Sequence, residues 1–342
     1  MITVLLFGGR SDERHVSVAS AQNVARTIET SSPLCWFWAP NGAVHDVGIP
    51  ELLAHARPFE LDYVPSRPAI WPDLEQALDT IPVDDPVFLL ALHGGEGEDG
   101  TVQRLLESRR LPFTGSGSAA SAAAFDKVRA KDAVRDRVPV ADARTAGNDA
   151  ELRKAVDDLL SRHSRVVLKP VAGGSSRGLF FLDRDGDRDA AVNDAAALGV
   201  PYLVEQFLAG REITVGVIDR GDGPVALPCI EIEVDPGHAF DYAGKYLGKG
   251  TREVCPADLP PPLAAECQRV AVEAHFALAC DGYSRTDLVS ADDGVWFLEL
   301  NTLPGLTTSS LVPQQLATAG IPFRTFLEEQ LALARRGDQN RV

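Results

Sequence analysis

The sequence predicts an α/β protein with α+β character in its C-terminal half, folded as three domains. Two observations lead to this class. An apolar strand, a glycine turn and a helical stripe follow one another twice near the N-terminus, which indicates a parallel α/β sheet. From residue 166 onward, strand-like runs follow one another through short loops. We expect the domains to span residues 1–115, 116–204 and 205–342.

The first domain is predicted from its two strand–turn–helix units. Ile2–Phe7 is an apolar run that stops at Gly8, and Val87–Leu92 is a second run that leads into the glycine-rich segment 93–100. Apolar residues at helical spacing follow each turn, so a helix is expected after each strand. Residues 33–82 contain many prolines and no clear periodicity, and we assign no element to them.

The second and third domains are predicted mainly from strands. Their apolar runs of strand length are Val166–Lys169, Leu179–Leu182, 201–205, 213–218, 283–289 and 295–301. A final helix carries an apolar residue at every fourth position from Phe323 to Leu331. Residues 335–342 are expected to form a frayed tail.

Composition and charge exclude several classes of protein. The 342 residues are 45% apolar and 24% charged, and their net charge of −16 opposes loose binding to nucleic acid or anionic membranes. No run of 18 apolar residues occurs, and the apolar start lacks the basic region of a signal peptide. The five cysteines form no C-x-x-C pair, which predicts reduced thiols. We therefore expect a cytoplasmic protein without a membrane or nucleic-acid partner.

Two strands near the C-terminus are predicted to form a hairpin. Residues 284–289 and 295–301 are joined by the turn 292–294, and a three-residue loop would place Ala291 opposite Val295. Continued along the strands, this register pairs Asp287 with Glu299 and Arg285 with Asn301.

All four of these side chains would then project from one face of the hairpin, because side chains alternate along a strand. The opposite face would carry Trp296, Leu298 and Leu300. Two carboxylates and an amide oxygen suit Mg²⁺, whereas an even-length loop would send Asp287 and Glu299 to opposite faces. The alternative is a solvated face whose charges merely pair. The glycine- and hydroxyl-rich segment 302–310 favours the ligand site.

Other segments are ambiguous when taken alone. The loop from Lys169 to Gly178 could close over phosphates, but it is neither a Walker A loop nor a dinucleotide fingerprint. Phe240–Tyr246 by itself indicates a surface loop. His93 could be a base or a turn histidine, and Glu13 could bind a ligand at a strand end or simply start a helix.

Taken together and in order, these segments resemble the D-alanine–D-alanine ligases of the ATP-grasp superfamily. The similarity spans nearly the whole chain, through the segments 5–13, 93–100, 125–127, 169–178, 245–246, 285–287 and 299–305. It implies a three-domain ATP-grasp fold with ATP held between two antiparallel sheets. It also implies a ligase that phosphorylates the carboxylate of one D-alanine, joins the acyl phosphate to the amine of a second, and serves peptidoglycan precursor synthesis.

The resemblance assigns a role to each matching position. The ATP-binding positions are Lys127, Lys169, Ser176, Glu205, Gln206, Phe207, Leu208 and Glu212. Two Mg²⁺ ions, with Mn²⁺ as a substitute, would be held by Asp287, Glu299 and Asn301. The catalytic positions are Glu13, which holds the first ammonium, Arg285, which stabilises the reacting carboxyl, and Ser175 and Tyr246, which close the loop. The remaining substrate positions are His93, Lys245, Gly305, Ser310 and Leu311.

Two residues depart from the family pattern and leave the acceptor open. Gly173 stands where the family usually has glutamate, and Arg177 where it has a small apolar residue. The alternative is a specialised dipeptide or D-alanyl-X ligase of antibiotic biosynthesis or self-resistance, although Tyr246 favours an amine acceptor. A nucleotide-binding protein without turnover is a further alternative. An NAD-dependent oxidoreductase is excluded, because the sequence lacks a G-x-G-x-x-G dinucleotide-binding motif with an acidic residue at ribose distance downstream. We expect amino-acid substrates, D-alanine first, and a homodimer.

Overall fold

The computed structural model describes residues 2–28, 32–174, 177–234 and 250–337. Four of the predicted site residues, Ser175, Ser176, Lys245 and Tyr246, lie outside the described residues.

The N-terminal sheet confirms the predicted parallel pair. Its strands are β1 (Ile2–Gly8), β2 (Leu34–Trp38), β3 (Val44–Val47) and β4 (Pro86–Leu90). The order is β3-β2-β1-β4, with β1 parallel to both neighbours and β3 antiparallel at the edge. Strands β2 and β3 lie in the stretch to which the sequence pattern assigned nothing. Because β1 and β4 are parallel neighbours, the segments that follow them meet at one edge of the sheet.

Helices cover the N-terminal sheet. They are α1 (Arg14–Ile28), α2 (Ile49–Leu53), α3 (Leu74–Asp79) and α4 (Thr101–Ser108). The predicted inner face of α1 is buried, including Val18, Ala21 and Ile28.

The turn after β1 needs glycine, because Gly8 has a φ of +96° and a Cβ there would lie 2.4 Å from the Trp38 carbonyl oxygen.

The central part is an antiparallel sheet backed by helices. Its elements are α5 (Ser118–Phe125), α6 (Lys127–Val134), β5 (Ala143–Ala146), α7 (Asp149–Arg162), β6 (Arg165–Pro170), β7 (Phe180–Asp183), α8 (Arg188–Ala196) and β8 (Tyr202–Gln206). The strand order is β5-β8-β6-β7. Val166, Leu168 and Val204 belong to the apolar core of this part. Alternation therefore places Lys169 and Glu205 on the opposite face of the sheet.

The C-terminal part is a second antiparallel sheet, as the family resemblance implies. Its elements are β9 (Arg211–Asp219), β10 (Pro224–Ala226), β11 (Ile230–Val234), β12 (Thr251–Val254), α9 (Pro261–Ala277), β13 (Tyr283–Ala291), β14 (Gly294–Asn301), α10 (Leu311–Thr318) and α11 (Phe323–Gly337). The order is β12-β11-β9-β13-β14, and β10 pairs with β9. Helix α11 packs Leu327 and Leu331 into the N-terminal core. Because it continues to Gly337, the expectation of a frayed tail is wrong for residues 335–337, and residues 338–342 lie outside the described residues.

The hairpin of β13 and β14 corrects the predicted loop while keeping the predicted pairs. Ala291 pairs with Gly294 across a two-residue loop, so the expected three-residue loop is wrong. A bulge at Leu298 supplies the missing residue, and Asp287 still pairs with Glu299 and Arg285 with Asn301.

The faces of β14 change as a result of the bulge. Val295, Phe297 and Leu300 are buried in the core beneath the sheet. The expectation that Trp296, Leu298 and Leu300 share a face is therefore wrong. Leu300 points into the core because the extra residue shifts the alternation by one position.

Two further sequence expectations can be compared with the structure. No helix among the described residues has the length and apolarity that crossing a membrane requires. All five cysteines are free thiols, and each of them except Cys255 is buried.

Candidate active site

A cleft of about 630 Å³, partly open to solvent, lies where the three sheets meet. Its walls come from the segments after β1 and β4, helices α5 and α6, the glycine loop after β6, and the end of β14. The predicted site residues that line it are Glu13, His93, Lys127, Arg285, Glu299 and Asn301. They come from positions far apart in the sequence, so it is the fold that brings these side chains together.

Glu13 is enclosed by glycines on two sides. A Cβ atom on Gly94 would lie 2.5 Å from Glu13 Oε2 and 2.4 Å from Ser11 Oγ. A Cβ on Gly174 would lie 3.6 Å from the same carboxylate oxygen. The backbone of the loop after β4 and that of the glycine loop therefore approach Glu13 closely, and only glycine permits the first approach.

His93 and Glu98 form a buried ion pair beside Glu13. His93 Nδ1 lies 3.0 Å from Glu98 Oε1, which also accepts a hydrogen bond from the Gly94 N–H at 2.9 Å. Burial would lower the pKa of His93, but the Glu98 carboxylate, with help from Glu13, raises it above its ordinary value. Arg285 opposes this rise, which indicates that the guanidinium, too, faces the cleft.

Arg285 is held by its neighbour on the same face of β13. Its Nε and Nη2 donate to the two oxygens of Asp287 at 3.0 and 2.9 Å. Thr214 Oγ1, on the adjacent strand β9, donates to Asp287 Oδ1 at 2.6 Å. The fork-to-fork geometry fixes the orientation of the guanidinium at the edge of the cleft, where only 9% of Arg285 is exposed.

Lys127 faces Glu299, one of the predicted metal-binding positions, from the other side of the cleft. Its Nζ donates to the Gly173 carbonyl at 2.7 Å and lies 3.6 Å from Glu299 Oε2. Burial lowers the pKa of Lys127, although Glu299 works against this change. One lysine thus connects the glycine loop to the hairpin across the cleft.

The predicted metal-binding positions supply two carboxylates and one amide oxygen. No group of three or more His, Cys, Asp or Glu side chains suited to a metal occurs among the described residues. Asp287 and Glu299 lie opposite each other in the strand register, and Asn301 Oδ1, which accepts from the Leu303 N–H at 2.7 Å, offers an amide oxygen. Two carboxylates with an amide oxygen fit Mg²⁺ when phosphate oxygens complete the shell.

Three predicted substrate positions lie beside the cleft rather than in its wall. A Cβ on Gly305 would lie 2.7 Å from Ser310 Oγ, which contacts Thr307 Oγ1 at 2.7 Å. Leu311 begins α10 and packs against Ile230 and Ile232.

The loop that carries Gly305 and Ser310 is anchored to helix α1 of the N-terminal part. The Leu306 N–H donates to Ser20 Oγ at 3.0 Å, and Asn23 Nδ2 donates to the Leu306 carbonyl at 2.8 Å. Both partners belong to α1, so the loop after β14 is fixed next to the helix that begins after Glu13.

The predicted nucleotide positions follow the face of the central sheet that carries Lys169. Lys169 pairs with Glu205, whose side chain is almost fully buried. Gln206 ends β8, and Phe207 and Leu208 follow it. Glu212 is exposed near the start of β9, on the face that carries Thr214 and Asp287.

Sequence reasoning missed three residues that complete this arrangement: Glu98, Lys131 and Thr214. Lys131 follows Lys127 by one helical turn, and that spacing was a usable signal. Glu98 lies in the glycine-rich segment already noted for His93. Thr214 gave no local signal, because its role depends on strand pairing with Asp287, 73 residues away.

Comparison with known proteins agrees with this geometry. Family models described as D-ala D-ala ligase N-terminus and C-terminus match residues 2–116 and 133–332. The chain is 36% identical over 339 residues to a D-alanine–D-alanine ligase of Syntrophobacter fumaroxidans, covering 98% of this chain and 97% of that protein.

Solved structures show the same fold. The D-alanine–D-alanine ligase of Coxiella burnetii has a TM-score of 0.82 and 26% identity, covering 99% of this chain and 95% of that one. VanG D-Ala:D-Ser ligase of Enterococcus faecalis has a TM-score of 0.81 and 27% identity, covering 97% and 98%. The curated relatives do not favour the specialised-ligase alternative. The chain therefore belongs to the D-alanine–D-alanine ligase family.

Proposed function

We propose that this enzyme joins two D-alanine molecules into D-alanyl-D-alanine while converting ATP to ADP and phosphate. The observation that carries the proposal is the cleft itself. It sets an acidic pocket at Glu13 against Arg285 and Lys127, with the oxygen donors of the hairpin between the sheets. The product would supply peptidoglycan precursor synthesis in the cytoplasm.

The first D-alanine would lie between Glu13 and Arg285. The Glu13 carboxylate would bind its ammonium, and the close glycine backbones would admit only a small side chain nearby. Arg285, oriented by Asp287, would neutralise charge that develops on the reacting carboxyl group. His93, whose pKa Glu98 raises, would add positive charge on the same side when protonated.

The nucleotide would lie between the central and C-terminal sheets. Lys127 and Lys169 would bind the phosphates, Glu205–Leu208 would take the adenine, and Glu212 would reach the ribose. Ser176 would join the phosphate site. Since lysines hold the Glu205 carboxylate, we assign the adenine contacts to the main chain of this strand end and to the residues that follow it.

Asp287, Glu299 and Asn301 would hold two Mg²⁺ ions together with the phosphates, and Mn²⁺ would suit the same oxygens. When bound, the metal supplies charge neutralisation of the phosphoryl group during transfer. Lys127, 3.6 Å from Glu299, offsets part of the negative charge of this set.

The second D-alanine would bind toward Ser310, Leu311 and the segment that carries Lys245, with Gly305 beside the reacting carboxyl. Ser175 and Tyr246 would close over it. We further propose domain limits near residues 115 and 204 and a homodimeric assembly.

The test is product analysis with purified enzyme, ATP, Mg²⁺ and D-alanine. We expect ADP and D-alanyl-D-alanine in equal amounts, read by a coupled ADP assay and by mass spectrometry. D-Serine and D-lactate are offered as competing acceptors, because one structural neighbour is a D-Ala:D-Ser ligase. A mixed product in excess over D-alanyl-D-alanine would overturn the acceptor, and ADP release independent of D-alanine would overturn the ligase activity.

A further inference from the structure

Lys131 is a buried lysine that the proposed reaction does not yet use. It lies on α6, one turn after Lys127, and its Nζ is 3.0 Å from Glu205 Oε2. Each of these two side chains is only 4% exposed. A buried charge must be paired, so the contact fixes both groups in place.

The other oxygen of Glu205 is taken by a second lysine. Lys169 Nζ contacts Glu205 Oε1, so one carboxylate lies between two ammonium groups. Burial would raise the pKa of Glu205, but Lys169 and Lys131 hold it below its ordinary value. Burial lowers the pKa of Lys131, and the Glu205 carboxylate works against this change. With both lysines protonated, two ammonium groups share one carboxylate, and the cluster of Lys131, Glu205 and Lys169 carries one net positive charge.

The net charge of this cluster matters because Lys169 faces the nucleotide side of the central sheet. If Lys131 were absent, Glu205 would neutralise Lys169 alone and the pair would present no net charge to a phosphate. With Lys131 present, the carboxylate is shared, and positive potential is retained at the phosphate position.

Lys131 also reaches the C-terminal sheet. Its Nζ donates to the Phe297 carbonyl at 3.5 Å and lies 5.9 Å from the centre of the Phe297 ring. Phe297 is the residue immediately before the bulge at Leu298. One ammonium group thus links the strand end at Glu205 to the strand that carries Glu299.

We propose that Lys131 is a positioning residue for nucleotide binding, which neutralises Glu205 so that Lys169 can direct its charge to the phosphates. The proposal rests on the proposed function for the identity of the nucleotide. It assigns Lys131 no contact with substrate.

The test measures the Kd of ADP by isothermal titration calorimetry in EDTA, so that no metal contributes. Loss of one charge-assisted contact in Lys131→Met should raise the Kd about tenfold or more. Lys131→Arg keeps the positive charge, so its Kd for ADP should stay near that of wild type. Lys154→Met, which removes an exposed lysine on α7, is the matched control and should leave the Kd unchanged.

The deciding variant is the double substitution Lys131→Met with Glu205→Gln. Removing the carboxylate together with its second lysine leaves Lys169 unpaired, so ADP should bind more tightly than to Lys131→Met alone. A structural role would not restore affinity in this way. If Lys131→Met fails to fold, the Kd of ADP for the double variant is compared with that of wild type instead.

A folded Lys131→Met variant that binds ADP with wild-type affinity would overturn the proposal. A double variant that binds ADP no more tightly than Lys131→Met would also overturn it. Where Lys131→Met does not fold, a double variant that binds ADP more weakly than wild type would do the same. The proposed function fails by a different result, the absence of dipeptide from D-alanine and ATP. The ADP titration does not depend on the dipeptide assay, so failure of this proposal can be distinguished from failure of the proposed function.

Discussion

At the scale of single residues, the cleft depends on charges that burial alone would not permit. His93 is 5% exposed, yet its pKa is raised, because Glu98 lies beside it and Glu13 adds a second negative charge. Glu98 in turn has a pKa below its ordinary value, because His93 outweighs its burial. Each group of the pair thus stabilises the charged form of the other.

The first prediction concerns this pair. In Glu98→Gln, burial outweighs the remaining influence of Glu13, so the pKa of His93 should fall below about 6.5. An NMR titration of the histidine ring protons measures it. Glu96→Gln, an exposed neighbour, is the control and should leave the titration of His93 unchanged. A pKa of His93 that stays raised without Glu98 would contradict this account.

The same pair sets a pH window for stability. The raised pKa of His93 contributes stability below the unfolded-state value, and this is lost as pH rises through the folded-state value. The lowered pKa of Glu98 contributes stability above its unfolded-state value, and this is lost as pH falls through the folded-state value. The difference in the free energy of unfolding between wild type and Glu98→Gln should therefore be largest between about pH 4.3 and 6.5. Urea titrations across pH test this window, and a pH-independent difference would refute it.

A third prediction uses two glycines of similar φ. Gly94 has a φ of +68° and would place a Cβ against Glu13, whereas Gly199 has a φ of +65° with nothing within 4 Å. Alanine at Gly199 should cost about 1 kcal/mol of stability, and alanine at Gly94 should cost more, because its φ of +68° and ψ of 164° suit only glycine. Only Gly94→Ala should also lose kcat/KM for the first D-alanine, on the order of 10²-fold, because it displaces the carboxylate. Equal kinetic effects would show that Glu13 is not positioned by the loop.

At the scale of elements, the hairpin shows what the sequence pattern revealed and what it concealed. The turn residues and the alternation of Arg285 and Asp287 predicted the correct pairs. The loop length was wrong, because Leu298 was counted as a regular strand residue. The buried positions Val295, Phe297 and Leu300 are spaced by two and then by three, and this break marks the bulge. The sequence conceals the break, because Trp296 and Leu298 are apolar as well.

A fourth prediction concerns helix α6, which carries both Lys127 and Lys131. Asp126 caps it by accepting from the Val128 and Arg129 N–H groups at 2.9 and 3.1 Å. Asp126→Ala should lower the free energy of unfolding by about 1 kcal/mol and raise the KM for ATP, because the first turn frays. Asp132→Ala, an exposed acid on the same helix, should change neither. Similar losses in both variants would exclude capping as the cause.

At the scale of the whole molecule, the fold class was predictable and the convergence of the three sheets was not. Strand β1, its turn and the parallel partner β4 followed from local patterns. Strands β2 and β3 did not, since prolines interrupt the region and Trp36 and Phe37 are buried on both faces of the sheet, without the alternation that marks a strand. The pairing of Lys131 with Glu205 depends on contacts between residues 74 positions apart, which no local spacing reveals.

The acidic balance of the chain is also a property of the whole molecule. The net charge is −16, yet the cleft gathers Lys127, Arg285 and His93, whose pKa is raised, with Lys169 on the sheet face beside it. Negative charge over most of the surface opposes binding of large polyanions, while the local cations can bind a small one. This agrees with a nucleotide and amino acids as ligands.

The central claim is that the cleft activates the carboxylate of D-alanine by phosphoryl transfer, and oxygen labelling tests it most directly. D-Alanine carrying ¹⁸O in its carboxylate is incubated with the enzyme, Mg²⁺ and ATP, and the released phosphate is examined by mass spectrometry. One carboxylate oxygen bonds to the γ-phosphorus and leaves with it when the second amine attacks, so each phosphate should contain one ¹⁸O per dipeptide formed. Unlabelled phosphate accompanying dipeptide, or labelled AMP in its place, would contradict the account.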